Sequence, residues 1–521
     1  MVLSLIPGRI LPRGDGMSVL FVEFINADQF PGQMNEFYSF MKGALNLLGI
    51  PNRWVRLGIS TDNMAVHGSD EITLSNEELD SLINHALSIK AKRAIFTHAI
   101  NGKQISTLLE NVPDLKEHKY QPLGTFRAFQ LMTIEEFEPD FGWEPGNAAA
   151  SRENPANIHI LTENDCYYNV SIRTNPFFAG MEIPTGILDL GCSFCGRPSL
   201  EIASERKTIA GKIDSSGAIR KQMKAAAKTY PAGAGLYGMI FRNLAGIPPL
   251  KDIHGAMKEA GLLNVRLLFA ARPDHILEKS DEISEFLETV RGTGFQFHIH
   301  VIGIENFSDE ELLRFNKGVA AGTNELAVKK VFELESLFPE NFKSLQHLPF
   351  CFILFTPWTR ISDLILNLEK IRSLGIQNYT GNIFRSRLRI HPDTALVLLA
   401  DKDGLLADKE SGGDRTNRFK MFEEELPWRF KDESVAWLSA VIMRLQEGAD
   451  AAFAGDPLFL AIRKFLRESF GSFNYNQGIL IDIFYHLAVI VRDHGVPGDV
   501  EAALRNAFER WNQSDMPGFF Q

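Results

Sequence analysis

Between residues 235 and 374 the chain alternates short apolar runs with stretches whose apolar residues recur at helical spacing. No other feature constrains the fold as strongly. Strand signals fall at residues 235–241, 265–270, 295–303 and 350–355. Helical periodicity falls at 249–260, 280–291, 309–318, 325–337 and 361–374. Strand–helix repeats of this length predict parallel strands joined by right-handed crossovers. They suit a barrel or partial barrel, with a site at the carboxyl ends of the strands.

A smaller α/β alternation precedes it. Strand signals at 19–25, 53–57 and 94–97 alternate with helical ones at 37–48, 76–89 and 103–109. This pattern predicts a doubly wound, Rossmann-like domain. The Gly-rich dinucleotide fingerprint is missing, since Gly32 stands alone in Pro31-Gly32-Gln33-Met34. Residues 135–155, rich in Pro, Gly, Asn and acidic groups, read as a linker, and so do 401–416. Beyond the second linker the signals are helical, at 435–445, 457–470, 477–493 and 498–511. The expected organisation is α/β in three domains: Rossmann-like at 1–134, a barrel at 156–400 and an all-helical domain at 417–521.

Composition excludes several classes. Of 521 residues, 45% are hydrophobic and 23% charged, as in an ordinary globular chain. The net charge of −11 argues against general nucleic-acid binding. No apolar run approaches the roughly 20 residues that cross a bilayer. Residues 1–16 lack the apolar core and cleavage site of a signal peptide. A cytoplasmic protein without nucleic-acid or membrane partners is the expectation. Four cysteines cannot staple a chain of this size. The 39 Phe against 9 Tyr predict a Phe-rich core.

Two of the cysteines stand together in Gly191-Cys192-Ser193-Phe194-Cys195-Gly196. A Cys-x-x-Cys pair serves as half a zinc site, a redox pair or part of an iron–sulfur site. A four-cysteine zinc site needs a second such pair, which the chain lacks. A thioredoxin-like pair opens a helix in a small fold, whereas this one follows an apolar run at 183–190. Two unlinked thiols in a turn is the plain alternative.

The Cys192 run resembles the end of the cysteine motif of radical S-adenosylmethionine (SAM) enzymes. The segment Val301-Ile302-Gly303-Ile304-Glu305-Asn306-Phe307-Ser308, continuing to Asn316-Lys317-Gly318, resembles that family's strand ending in Gly-x-Glu and the helix after it. Leu267-Phe269-Ala271-Arg272-Pro273-Asp274 resembles the end of its third strand, and Phe352 to Thr359 with Asp363 a later strand and helix. These pieces occur in family order over about residues 165–400. The N-terminal α/β unit resembles the cobalamin-binding domain of one large subgroup. The resemblance implies a radical SAM barrel, a [4Fe–4S] cluster on three cysteines, and SAM chelated at the open iron. Electron transfer then makes a 5′-deoxyadenosyl radical, and the cofactors carry that chemistry. It implies a small-molecule or peptide substrate and an electron donor such as a flavodoxin or ferredoxin. If cobalamin binds, methyl transfer to an unactivated carbon is the implied outcome. The Asp-x-His-x-x-Gly cobalt motif is absent, and His98 after the third strand lacks the pattern.

One position departs from the family. Its first cysteine stands four residues before the second, and here that position is Leu188. Cys166 restores three ligands if residues 167–174 and 183–190 form a hairpin with Thr174 opposite Met181, which puts Cys166 opposite Asp189. Directly paired residues lie about 5 Å apart. If residues 167–174 are instead the first barrel strand, Cys166 sits at its wrong end, over about 20 Å away. Asp189 as an oxygen ligand is a second repair. Loss of the cluster, leaving a binding or scaffold protein, is the third.

Other residues carry paired expectations. Glu305 contacts SAM by resemblance, or caps the helix starting near Ser308. Arg272 meets the SAM carboxylate, or forms a surface ion pair with Asp274. Arg242 and Asn243 follow a strand where the family places polar groups near the methionyl part of SAM. Arg385, Arg387 and Arg389 alternate as an acid-binding stripe or a solvated sheet edge. His298 and His300 alternate on one strand, as a metal pair lacking a third ligand or as satisfied core histidines. Cys351 reads as a small buried apolar residue.

Overall fold

The structure is a computed structural model. It describes residues 19–26, 52–59, 71–119, 144–145, 158–160, 168–195, 215–229, 237–407, 425–446, 464 and 477–513, single or paired positions within these ranges aside. Cys166, Leu188, Arg242, His98, Gly32 and Arg385 lie outside the described residues, as do residues 408–416 of the linker expected at 401–416, whose first two residues end a helix instead, and the helical signals at 37–48 and, apart from residue 464, at 457–470. The chain is mixed α/β, with two five-stranded parallel sheets.

The first sheet holds β1 (Val19–Asn26), β2 (Asn52–Ile59), β4 (Arg93–Phe96), β6 (Lys116–Lys119) and β7 (Glu144–Pro145). Its order is β6-β4-β1-β2-β7. The chain leaves β1 toward one edge, later returns to its other side, and adds its last strand, β7, beside β2. β7 lies inside the stretch expected to be a linker. Two short strands, β3 (Glu71–Ile72) and β5 (Ala99–Ile100), pair separately. Helix α1 (Asn76–Ser88) starts where the Ser75 hydroxyl accepts from Glu78 N while Glu78 reaches back to Ser75 N. That reciprocal pair satisfies two otherwise orphaned donors. Leu79, Leu82 and Ala86 of α1 are buried with Val55, Leu108 and Val112, the last two from helix α2 (Gly102–Asn111) and the residue after it.

The second sheet runs in plain sequential order: β8 (Ile158–Ile160), β9 (Tyr237–Phe241), β10 (Val265–Ala271), β11 (Gln296–Glu305) and β12 (Phe350–Phe352). A parallel bridge from Phe355 to Arg387 continues past β12 in the same sense. β8 replaces residues 167–174 as the first strand of the series. The helices are α3 (Ser215–Thr229), α4 (Leu250–Ala260), α5 (Pro273–Glu278), α6 (Ser280–Thr289), α7 (Asp309–Arg314), α8 (Ala321–Leu337) and α9 (Ile361–Ser373). α4 ends at Gly261, whose φ of +75° suits the left-handed cap that glycine adopts without strain.

Phenylalanine fills the space under this sheet. The rings of Phe241, Phe269, Phe297 and Phe342 stack in series with centroids 5.0, 4.7 and 6.0 Å apart. Phe241 and Phe269 are direct partners in register. α10 (Leu396–Lys402), α11 (Glu433–Gln446), α12 (Gln477–His494) and α13 (Val500–Gln513) pack onto the same core, which runs from Ile158 to Ala507. Arg372 on α9 joins α12 through Asp482 at 2.6 Å and lies over the Tyr485 ring. Among the described residues, no helix is long and apolar enough to cross a membrane.

Candidate functional site

Parallel register puts Ile160, Phe241, Ala271 and Glu305 at one edge of the second sheet. The Cys192 turn lies against two of these ends: Arg272, just past Ala271, contacts Cys192, and Glu305 pairs with Lys317, whose charge also acts on Cys192.

The turn is short, with Cys195 N donating to Cys192 O at 3.1 Å. Ser193 anchors it from its middle, donating from N to Phe315 O and from Oγ to Arg314 O, both at 2.8 Å. Phe194 meets Phe315 edge to face at 5.2 Å. Cys192 and Cys195 are both half-buried.

Arg272, the first residue past β10, is buried. Its Nη1 donates to Cys192 Sγ at 3.7 Å and its Nη2 to Lys317 O at 2.7 Å. Its Nε and Nη2 grip Asp274 at 3.0 and 2.9 Å. The guanidinium lies 4.2 Å from the centre of the Tyr168 ring. Burial pushes the Asp274 carboxyl up, and the Arg272 bonds outweigh it and hold the group below its ordinary range. The pair with Asp274 therefore forms as one expectation had it, but beneath the surface and against a cysteine.

Glu305 ends β11 in the left-handed region, at φ +62°. A non-glycine residue is uncommon there and held only by its surroundings. Its Oε1 accepts from Lys317 Nζ at 3.0 Å, and its carbonyl accepts from Ile353 N at 2.7 Å. Ser308 starts α7 with no side-chain cap bond. Gly303 makes room for the ion pair, because a Cβ there would stand 2.7 Å from Glu305 Oε1 and 2.9 Å from Lys317 Nζ. Burial lowers the pKa of Lys317, but the charges of Glu305 and Cys192 outweigh it and raise the ammonium above its ordinary range.

Asn316-Lys317-Gly318 touches each part of the site. Asn316 Nδ2 donates to Gly191 O at 2.7 Å and to Val170 O at 3.1 Å. Gly318, at φ +70°, passes so close to the Tyr168 ring that a Cβ would overlap it. Sequence reasoning singles out none of Tyr168, Asn175, Asn316 or Lys317 as site residues. The signal for two of them was the Asn-Lys-Gly run, whose buried lysine needs a counter-charge.

The expected hairpin does not form with Thr174 opposite Met181. Residues 172–174 and 176–178 are single 3-10 turns, capped by Ser171 and Asn175. The antiparallel contact is Ser171 to Leu190, with Ile172 N donating to Asp189 O and Gly191 N to Val170 O. Ser and Asn side chains that bond nearby backbone favour turns over strand ladders. Asp189 pairs with Arg173 at 3.0 Å. Asn243 is buried, and its Oδ1 accepts from Ala245 N.

The segments quoted from residue 301 onward also meet. Thr356 Oγ1 donates to Glu311 at 2.9 Å, and Glu311 pairs with Arg314. Ser308 Oγ donates to Asp363, and Asn367 bonds Asn306 and Phe307 N. Arg387 stacks over Trp428 and Phe430 at 4.4 and 5.3 Å, and Arg389 is exposed and pairs with Glu425. His298 is buried near the other end of β11, with Nδ1 2.6 Å from His347 Nε2 and Nε2 3.1 Å from Gln296 Oε1. Cys351 is half-buried, and burial pushes its thiol up to about 11.

Among the described residues, no three His, Cys, Asp or Glu side chains converge as a metal-binding group. Two thiols in one turn, flanked by Arg272 and Lys317, are soft donors in cationic surroundings. That donor chemistry suits an iron–sulfur cluster with its negative charge. No protein-family model matches the chain, and no curated protein matches it.

Proposed function

We propose that this protein is a radical SAM enzyme, with Cys166, Cys192 and Cys195 holding a [4Fe–4S] cluster at the carboxyl edge of a partial β/α barrel. The observation that carries the proposal is the Cys192 turn lying against Arg272 and Lys317, where five sequential parallel strands end. Cys166 lies six positions after Ile160, the end of β8, and two before Tyr168, which stacks on Arg272. These flanks support its place as the third ligand.

The cluster, when bound, supplies the electron that cleaves the sulfonium of SAM. Arg272 and Lys317 offset the charge of thiolates at Cys192. Glu305, with Oε1 held by Lys317, offers Oε2 to a ligand amine or hydroxyl. Phe194 and Phe315 keep water from the turn. The N-terminal doubly wound unit is cobalamin-binding-like in this proposal. If it loads cobalamin, the reaction is methyl transfer to a carbon of a small or peptidic substrate. The C-terminal helices then shape substrate access, and a flavodoxin or ferredoxin supplies electrons.

Anaerobic reconstitution followed by iron and sulfide analysis tests this. The wild type is expected to hold about four irons per chain with a cluster absorbance band, and Cys166→Ala, Cys192→Ala and Cys195→Ala each to lose it. Stray iron only in the wild type would overturn the proposal in favour of a cluster-free binding protein. A normal cluster in Cys166→Ala would reject that ligand set.

A further inference from the structure

Asn316 is buried, and both ends of its amide are engaged. Its Oδ1 accepts from Asn175 Nδ2 at 3.1 Å, and Asn175 Nδ2 also donates to Leu313 O at 2.6 Å. That contact fixes the amide orientation, since only an oxygen can accept from Asn175. The Asn316 NH2 must then face Gly191 O and Val170 O, the two carbonyls it reaches. One carbonyl immediately precedes Cys192. The other lies four positions after Cys166. The backbone of Asn316 stands at φ +48°, a region that asparagine tolerates better than most residues.

We infer that Asn316 is a positioning residue for the cysteine site: its amide, oriented by Asn175, holds the Cys192 turn and the segment following Cys166 in one fixed register. The inference rests on the reading of those cysteines as cluster ligands. Its amide hydrogens go to backbone oxygens. It acts on the carbonyls that set where the two cysteine-bearing segments lie. Cluster sites need such support, because ligand geometry and hydrogen bonding around the sulfurs tune both retention and potential.

Asn316→Gly is the cleanest variant. Glycine keeps the left-handed backbone without strain and removes only the amide. Hydrogen exchange on the full chain, read at the Ser193 and Cys195 amides, should accelerate about tenfold or more, as the loss of two bonds to buried carbonyls allows. Reconstituted Asn316→Gly should retain several-fold less iron, and its reduced cluster should give an altered electron paramagnetic resonance signal. Asn175→Ala should shift both readouts in the same direction by less. Wild-type exchange and an unchanged resonance signal in Asn316→Gly would overturn the inference. So would faster exchange spread evenly over the chain, which reports general destabilisation. If the wild type holds no iron, the cluster reading fails separately, and exchange at the turn still decides whether Asn316 holds it.

Discussion

Lys317 and Glu305 form the most consequential pair at the residue scale. Their side chains are only 5% and 14% exposed, so each charge depends on the other. Removing one partner of a buried pair typically costs about 3–5 kcal/mol, because the remaining charge is stranded. Lys317→Met is therefore expected to lower stability by that order, while Lys317→Met with Glu305→Gln should cost less than the two single changes summed. A double-mutant cycle by chemical denaturation measures the difference. Glu305 and Arg272 were visible in the sequence as charges at the ends of apolar strands. Lys317 was not, because its partner lies twelve positions away and meets it only through the bend at the end of β11.

At the element scale, the contact between His298 and His347 ties β11 to the turn before β12. His298 is held neutral. Burial lowers its pKa most, and His347, Arg266, Lys343 and His300 add to the effect, taking it to about 2. His347 is also lowered, by burial and Arg266. The unfolded chain binds a proton at His298 near pH 6.5, and the folded chain does not. Stability is thus fully present above about pH 6.5 and falls as the pH drops below it, by about 1.4 kcal/mol per unit. Denaturation midpoints between pH 7 and 5 should show this slope, and His298→Gln should flatten it by about one proton. A slope unchanged in the variant would refute the assignment. Alternation along the strand suggested a pair between His298 and His300. A bulge in the β10–β11 register, falling between Phe269 and Ala270, interrupts that alternation, and the partner comes from another segment. Periodicity cannot anticipate a bulge, since the extra residue leaves the composition unchanged.

At the scale of the whole molecule, the helices α11 to α13 are continuous with the core of the second sheet. Leu480, Ile481, Phe484, Leu487 and Ala488 of α12 are buried within it. Each large side chain of this kind contributes about 1.5–3 kcal/mol on burial. A chain ending at residue 446 is expected to lose cooperative unfolding and to bind hydrophobic dye. The alternative result, a sharp transition in the shortened chain, would show that these helices are dispensable. The buried residues of the first sheet form a separate cluster.

Local chemistry determined much of this in advance. Apolar runs and helical spacing located β9 to β12 and the helices α4, α6, α7 and α8 between them to within a few residues, because strand and helix periods are imposed by backbone geometry; the short helix α5 gave no such signal. The abundance of phenylalanine anticipated the stacked core. Only the tertiary structure decided that residues 172–178 turn instead of extending the contact of Ser171 with Leu190 into a strand ladder, that β8 leads the second sheet and that β7 extends the first. β7 and β8 are two and three residues long, too short for periodicity to register. The assembly of Cys192, Arg272, Glu305, Asn316 and Lys317 was likewise settled in three dimensions. Hydrogen bonds and charge pairs at long sequence separation depend on strand register, and register leaves no local mark on the chain.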